Sequence, residues 1–111
     1  MKLTNMPERV TDWARLGSFE VPGISGVATI RMEKLGDAQL RVIEYGPGYL
    51  ADHWCTKGHV VFVVKGALTI EHQGGQPDCE ISAGMTWCVA DDEGPPHRVR
   101  SDGGAMVFVL D

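Results

Sequence analysis

Four side chains in this sequence have the chemistry of metal ligands: His53, Cys55, His59 and His97. Three of the four histidines in the chain belong to this set. Imidazole nitrogen and thiolate sulfur are the usual donors for Zn, Ni, Cu and Fe, and three or four of them meeting at a point make a coordination shell. His53 and Cys55 are two residues apart, so on a strand both side chains point to one face of the sheet. A short turn at Thr56-Lys57-Gly58 would let His59 open the next strand beside them. His97 lies far along the chain and must arrive from another hairpin. The spacing H-x-C-x3-H also arises by chance. Spacing alone therefore leaves equal room for a merely polar barrel mouth.

The elements that would position these residues read as short strands. Val27–Met32 and Gln39–Tyr45 alternate apolar and polar positions, with Gly36-Asp37 as the turn between them. Gly46-Pro47-Gly48 is a hard break. Leu50–Cys55 reads as strand, then His59–Lys65, then Ala67–His72 after a kink at Gly66, and Gly74-Gly75 closes that hairpin. Cys79–Ile81, Met85–Val89, His97–Arg100 and Ala105–Leu110 complete the series. Turns at this spacing suit an antiparallel sandwich or barrel, and no strand alternates with a long helix as a parallel α/β sheet requires. Residues 1–26 form an N-terminal arm, with Thr11-Asp12 capping a short helical turn and Trp13 and Phe19 packing on the barrel of residues 27–111.

The chain has 111 residues, 43% of them apolar, which is enough for a single domain with one core. Fourteen glycines and six prolines favour many turns over long helices. A net charge of −5 with no dense basic stretch argues against nucleic acid and anionic lipid as partners. No apolar run approaches the length of a membrane span, and the first twenty residues carry charges in place of a signal-peptide core. Three cysteines, Cys55, Cys79 and Cys88, without a secretory signal imply reduced thiols and a cytoplasmic setting.

The segment from Gly48 to Gly66 resembles the first cupin motif, G-x5-H-x-H-x3,4-E-x6-G. Counting back from Gly66, His59 falls on the family's Glu, Cys55 on its second His and His53 on its first, with one residue fewer after Gly48. The segment from Gly94 to Ser101 resembles the end of the second motif, with His97 at the ligand position and Ser101 in place of Asn. A closer likeness is to the small single-domain DHCW-motif cupins. It rests on Asp52-His53-Trp54-Cys55 with Lys57-Gly58-His59, and continues at Thr11-Asp12-Trp13, Tyr49-Leu50, Ala90-Asp91-Asp92 and Pro96-His97-Arg98.

The resemblance implies an all-β cupin barrel (a double-stranded β-helix or jelly roll). It further implies a divalent transition metal held by His53, His59, His97 and Cys55, a small molecule in the barrel, and a homodimer. It assigns no reaction. The departures from the general pattern matter chemically. A Cys55 thiolate in place of a neutral histidine, with His59 in place of the Glu, keeps one anionic ligand but a softer one, which favours Zn, Ni or Cu over Mn. Four protein ligands on tetrahedral Zn would close the site, whereas three would leave room for water or substrate. Two functions follow: a metal-dependent enzyme of oxygenase or isomerase type, or a non-catalytic small-ligand or metal sensor. Among the remaining residues, Cys79, Cys88, Met85 and Met106 are expected in the core, and Trp87, Phe62 and Phe108 in the core or lining the pocket.

Overall fold

A computed structural model describes residues 3–111, so the first two residues of the 1–26 arm lie outside the described residues. Among the described residues, nine strands follow one 3-10 turn at Trp13–Arg15: β1 Phe19–Pro22, β2 Val27–Leu35, β3 Ala38–Tyr45, β4 Tyr49–Leu50, β5 His59–His72, β6 Cys79–Ser82, β7 Thr86–Val89, β8 His97–Ser101 and β9 Ala105–Leu110. Every pairing is antiparallel. The all-β barrel expected from the strand spacing is the architecture found.

β5 organises the molecule. It runs for 14 residues through Gly66, where the sequence suggested two strands. Its first half pairs with β7 and β9, and its second half with β6 and β8, so one strand serves both walls of the barrel. Gly66 makes this possible. Its φ is +80°, and a Cβ there would stand 2.3 Å from the Gly104 carbonyl oxygen. The register against β9 shifts by one residue just before it, between Val63 and Lys65, which bends the strand from one wall into the other.

Alternation fills the interior. Val61, Val63, Leu68 and Ile70 of β5 point inward with Ala105, Val107 and Val109 of β9, Ile43 of β3 and Ile81 of β6. Each valine, leucine or isoleucine among them contributes about 1.5–3 kcal/mol by leaving water. The opposite parity points out. Phe62 and Val64 are 41% and 51% exposed, which places Phe62 on the outer face and not in the core or pocket. Met85 is 46% exposed and Cys88 is also exposed, so neither is core filler.

The arm follows the expected outline in part. The Asp12 side chain accepts a hydrogen bond from the Ala14 amide and caps the short turn. Trp13 meets Phe108 edge to face at 6.3 Å, while Phe19 lies in β1 and is 47% exposed. β1 pairs with β2 of the same chain and ends the sheet. Among the described residues, no helix is long and apolar enough to cross a membrane.

Candidate metal centre

The site forms where β8 begins. β4 pairs with β8 through Tyr49–Ser101 and Leu50–Arg100, and the Ala51 amide continues that ladder by donating to the Val99 carbonyl. Regular continuation would set His53 opposite His97. Cys55 stands there instead: its amide donates to the His97 carbonyl at 2.7 Å, and the His97 amide donates back at 2.9 Å. Residues 52–54 therefore bulge out opposite the single residue Arg98. The expected strand over Leu50–Cys55 stops at Leu50 for this reason. The bulge is anchored by Trp54, which packs under the Arg98 guanidinium at 4.4 Å, and Arg98 in turn is held by Glu71 at 2.6 Å.

Three of the four expected ligands come together. One donor atom each from Cys55, His59 and His97 lie within 4.8 Å of one another. Cys55 Sγ is 3.6 Å from His59 Nε2. The rings of His59 and His97 meet at right angles with centroids 5.4 Å apart, and Trp87 sets its edge against His97 at 4.9 Å. His53 is not in this cluster: its Nδ1 pairs with Asp52 at 2.7 Å, and its side chain is 75% exposed at the rim of the same cavity.

The donors are prepared by their surroundings. His97 is 4% exposed, and its Nε2 is buried with no hydrogen-bond partner. A buried imidazole nitrogen left unpaired costs about 1–3 kcal/mol unless something else satisfies it. Burial, with the His59 and His72 rings as lesser causes, pushes the pKa of His97 down from 6.5 to about 4, so the ring is neutral at pH 7, the form a metal requires. The Lys57 amide donates to Cys55 Sγ at 3.4 Å and holds the sulfur in place.

Sequence reasoning missed Asp111 and Arg41. Asp111 Oδ2 is 2.7 Å from His59 Nδ1 and 2.7 Å from an Arg41 terminal nitrogen. An ionised carboxylate only accepts, so His59 carries its proton on Nδ1 and offers the Nε2 lone pair to Cys55 and His97. Arg41 had a legible signal. It shares parity with Ile43 and Tyr45 on β3, and its partner on β9 is the inward-facing Val109. An arginine at a position that alternation reserves for apolar residues stands out in the sequence. Asp111 offered no comparable cue.

Under the cluster lies a cavity of about 190 Å³. Tyr45, Tyr49, Val61, Trp87, Val99 and Val109 supply much of its wall. The donor set and the unsatisfied His97 nitrogen fit a soft or borderline transition metal, which Cys55, His59 and His97 would hold.

The chain adopts the cupin fold, and solved structures similar to it carry that architecture at low sequence identity. A predicted oxalate decarboxylase from Thermotoga maritima superposes with a TM-score of 0.76 at 12% identity, covering 92% of this chain and 96% of that one. A sugar phosphate isomerase from a cupin superfamily, from Silicibacter pomeroyi, gives 0.71 at 15% identity over 92% of this chain and 74% of that one. An RmlC-like cupin from Shewanella frigidimarina gives 0.67 at 18% identity over 96% and 92%. No protein-family model and no curated protein sequence matches the chain.

Proposed function

We propose that this chain is a metal-binding cupin of the DHCW-motif kind that acts on a small molecule held in its barrel, with metal-dependent chemistry of oxygenase or isomerase type. The observation that carries the reading is the meeting of Cys55, His59 and a buried, unsatisfied His97 over the cavity. His53 joins the ligand set only when it leaves Asp52 and turns in from the rim, so a position stays open for the small molecule while it is out. A divalent metal bound there supplies Lewis acidity to a ligand oxygen. The chain's own residues do the rest. Asp111 holds the His59 tautomer, Trp87 shields His97, and the Trp54–Arg98 stack fixes the loop that carries Cys55.

The predicted oxalate decarboxylase and the sugar phosphate isomerase that share the fold differ in activity, so the fold selects neither. A non-catalytic sensor for metal or small ligand is the second reading. It is favoured if His53 binds permanently, because four protein ligands close a tetrahedral site. A cytoplasmic setting suits both readings, since Cys55, Cys79 and Cys88 are all free thiols. A disulfide in protein recovered from cells would rule that setting out. The functional unit is proposed as a homodimer.

Elemental analysis after metal-replete expression tests the site. Wild type should carry about one transition metal ion per chain. His59→Ala and His97→Ala should lose it, Cys55→Ser should bind more weakly, and His53→Ala should show the smallest loss of the histidine variants. Wild-type protein without stoichiometric metal would end the proposal.

A further inference from the structure

The cavity has a charge pattern at odds with the rest of the molecule. The chain carries a net charge of −5, yet among the described residues no Asp or Glu lines the chamber, while Arg41 and Arg98 do. Arg98 is committed elsewhere, to Glu71 at 2.6 Å and to the Trp54 ring. Arg41 is not fully used. One terminal nitrogen reaches Asp111, but its Nε is buried and has no hydrogen-bond partner. An N–H of a guanidinium buried in this state is costly, and a charged acceptor offsets that cost best.

From this we infer that the chamber binds a short-chain carboxylate, with Arg41 anchoring the anion. The inference rests on the reading of the cavity as the ligand chamber and names the ligand's chemistry. Size bounds the chain length. About 190 Å³ is the room of roughly six waters, which admits acetate and propionate and excludes long-chain acids. Wall chemistry agrees, because Val61, Val99 and Val109 offer an apolar surface for a short alkyl group. The rings of Tyr45 and Tyr49, tilted at 42° with centroids 4.8 Å apart, line the same space. Burial raises both phenol pKa values above their ordinary 10, so each hydroxyl stays protonated and able to donate to a carboxylate oxygen.

Calorimetric titration of acetate and propionate against acetamide, with metal-free and metal-loaded full-length protein, tests this. Acetate should bind at least tenfold more tightly than its neutral isostere in both forms. Arg41→Met should lose at least tenfold in acetate affinity and leave acetamide unchanged. Tyr45→Phe, which keeps the ring and its packing, should lose a few-fold and serves if Arg41→Met fails to fold. Equal binding of acetate and acetamide by wild type would overturn the proposal. So would acetate binding that needs the metal and survives Arg41→Met, since the metal alone would then hold the anion. Metal content measured on the same samples separates failure of this inference from failure of the metal site: acetate bound by metal-free protein stands whether or not a metal is ever found.

Discussion

His59 stands between Cys55 and Asp111, with Nε2 3.6 Å from the sulfur and Nδ1 2.7 Å from the carboxylate. A carboxylate behind a ligating histidine fixes its tautomer and ring angle and raises its basicity. Asp111→Asn should therefore lower metal affinity by about 10- to 100-fold, as expected for loss of such a partner. Competition against a chromophoric chelator measures it. Asp111→Glu, which keeps the charge, should recover part of the loss. Wild-type affinity in Asp111→Asn would show that the contact only packs the sheet edge.

Burial of His97 has a consequence for stability. Its pKa of about 4 in the folded, metal-free protein lies below the ordinary 6.5 expected once the chain unfolds. Between those values the unfolded chain binds a proton that the folded one refuses, so stability falls as pH drops from about 6.5 toward 4. One such proton gives a slope of at most about 1.4 kcal/mol per pH unit. Glu71 does not confuse the upper part of this window. The Arg98 hydrogen bond holds its carboxyl below 4.5, so its contribution is lost only under that pH. Urea midpoints of metal-free protein between pH 7 and 5 should decline, and His97→Gln should flatten the decline. An equal slope in the variant would assign the effect elsewhere.

The barrel was legible because its cause is local. Alternation in β3, β5 and β9 and the Gly36-Asp37 and Gly74-Gly75 turns are written residue by residue, and Gly36, Gly74 and Gly75 all adopt positive φ. The meeting of His59 and His97 was legible through the motif likeness. The place of His53 was not. The parity rule assumed an unbroken ladder, and the bulge of residues 52–54 opposite Arg98 moved Cys55 into the position His53 would have held. That bulge sets Trp54 against Arg98, a contact between residues 44 positions apart that no spacing rule contains. The Asp111 carboxylate escaped for the same reason, since its role at His59 exists only once β9 lies beside β5.

The outer face of the sheet carries the remaining prediction. Phe62 of β5 pairs with Phe108 of β9, and Val42 of β3 pairs with Phe108 from the other side, so one apolar row crosses three strands, with Val64 beside it at the bulge. Phe62 at 41% and Val64 at 51% exposure leave a hydrophobic patch facing water, where strand alternation would place polar side chains. A second copy related by a two-fold axis would cover the row with the same row and bury both. Light scattering should then give a mass about twice the 12.1 kDa of the chain. Phe62→Asp sets like charges against each other across the axis without touching the interior, because the side chain faces out. It should shift the mass to that of the monomer while far-UV circular dichroism stays unchanged. A monomeric mass for the wild type at tens of micromolar would reject the dimer, and a dimeric mass for Phe62→Asp would move the interface to another face.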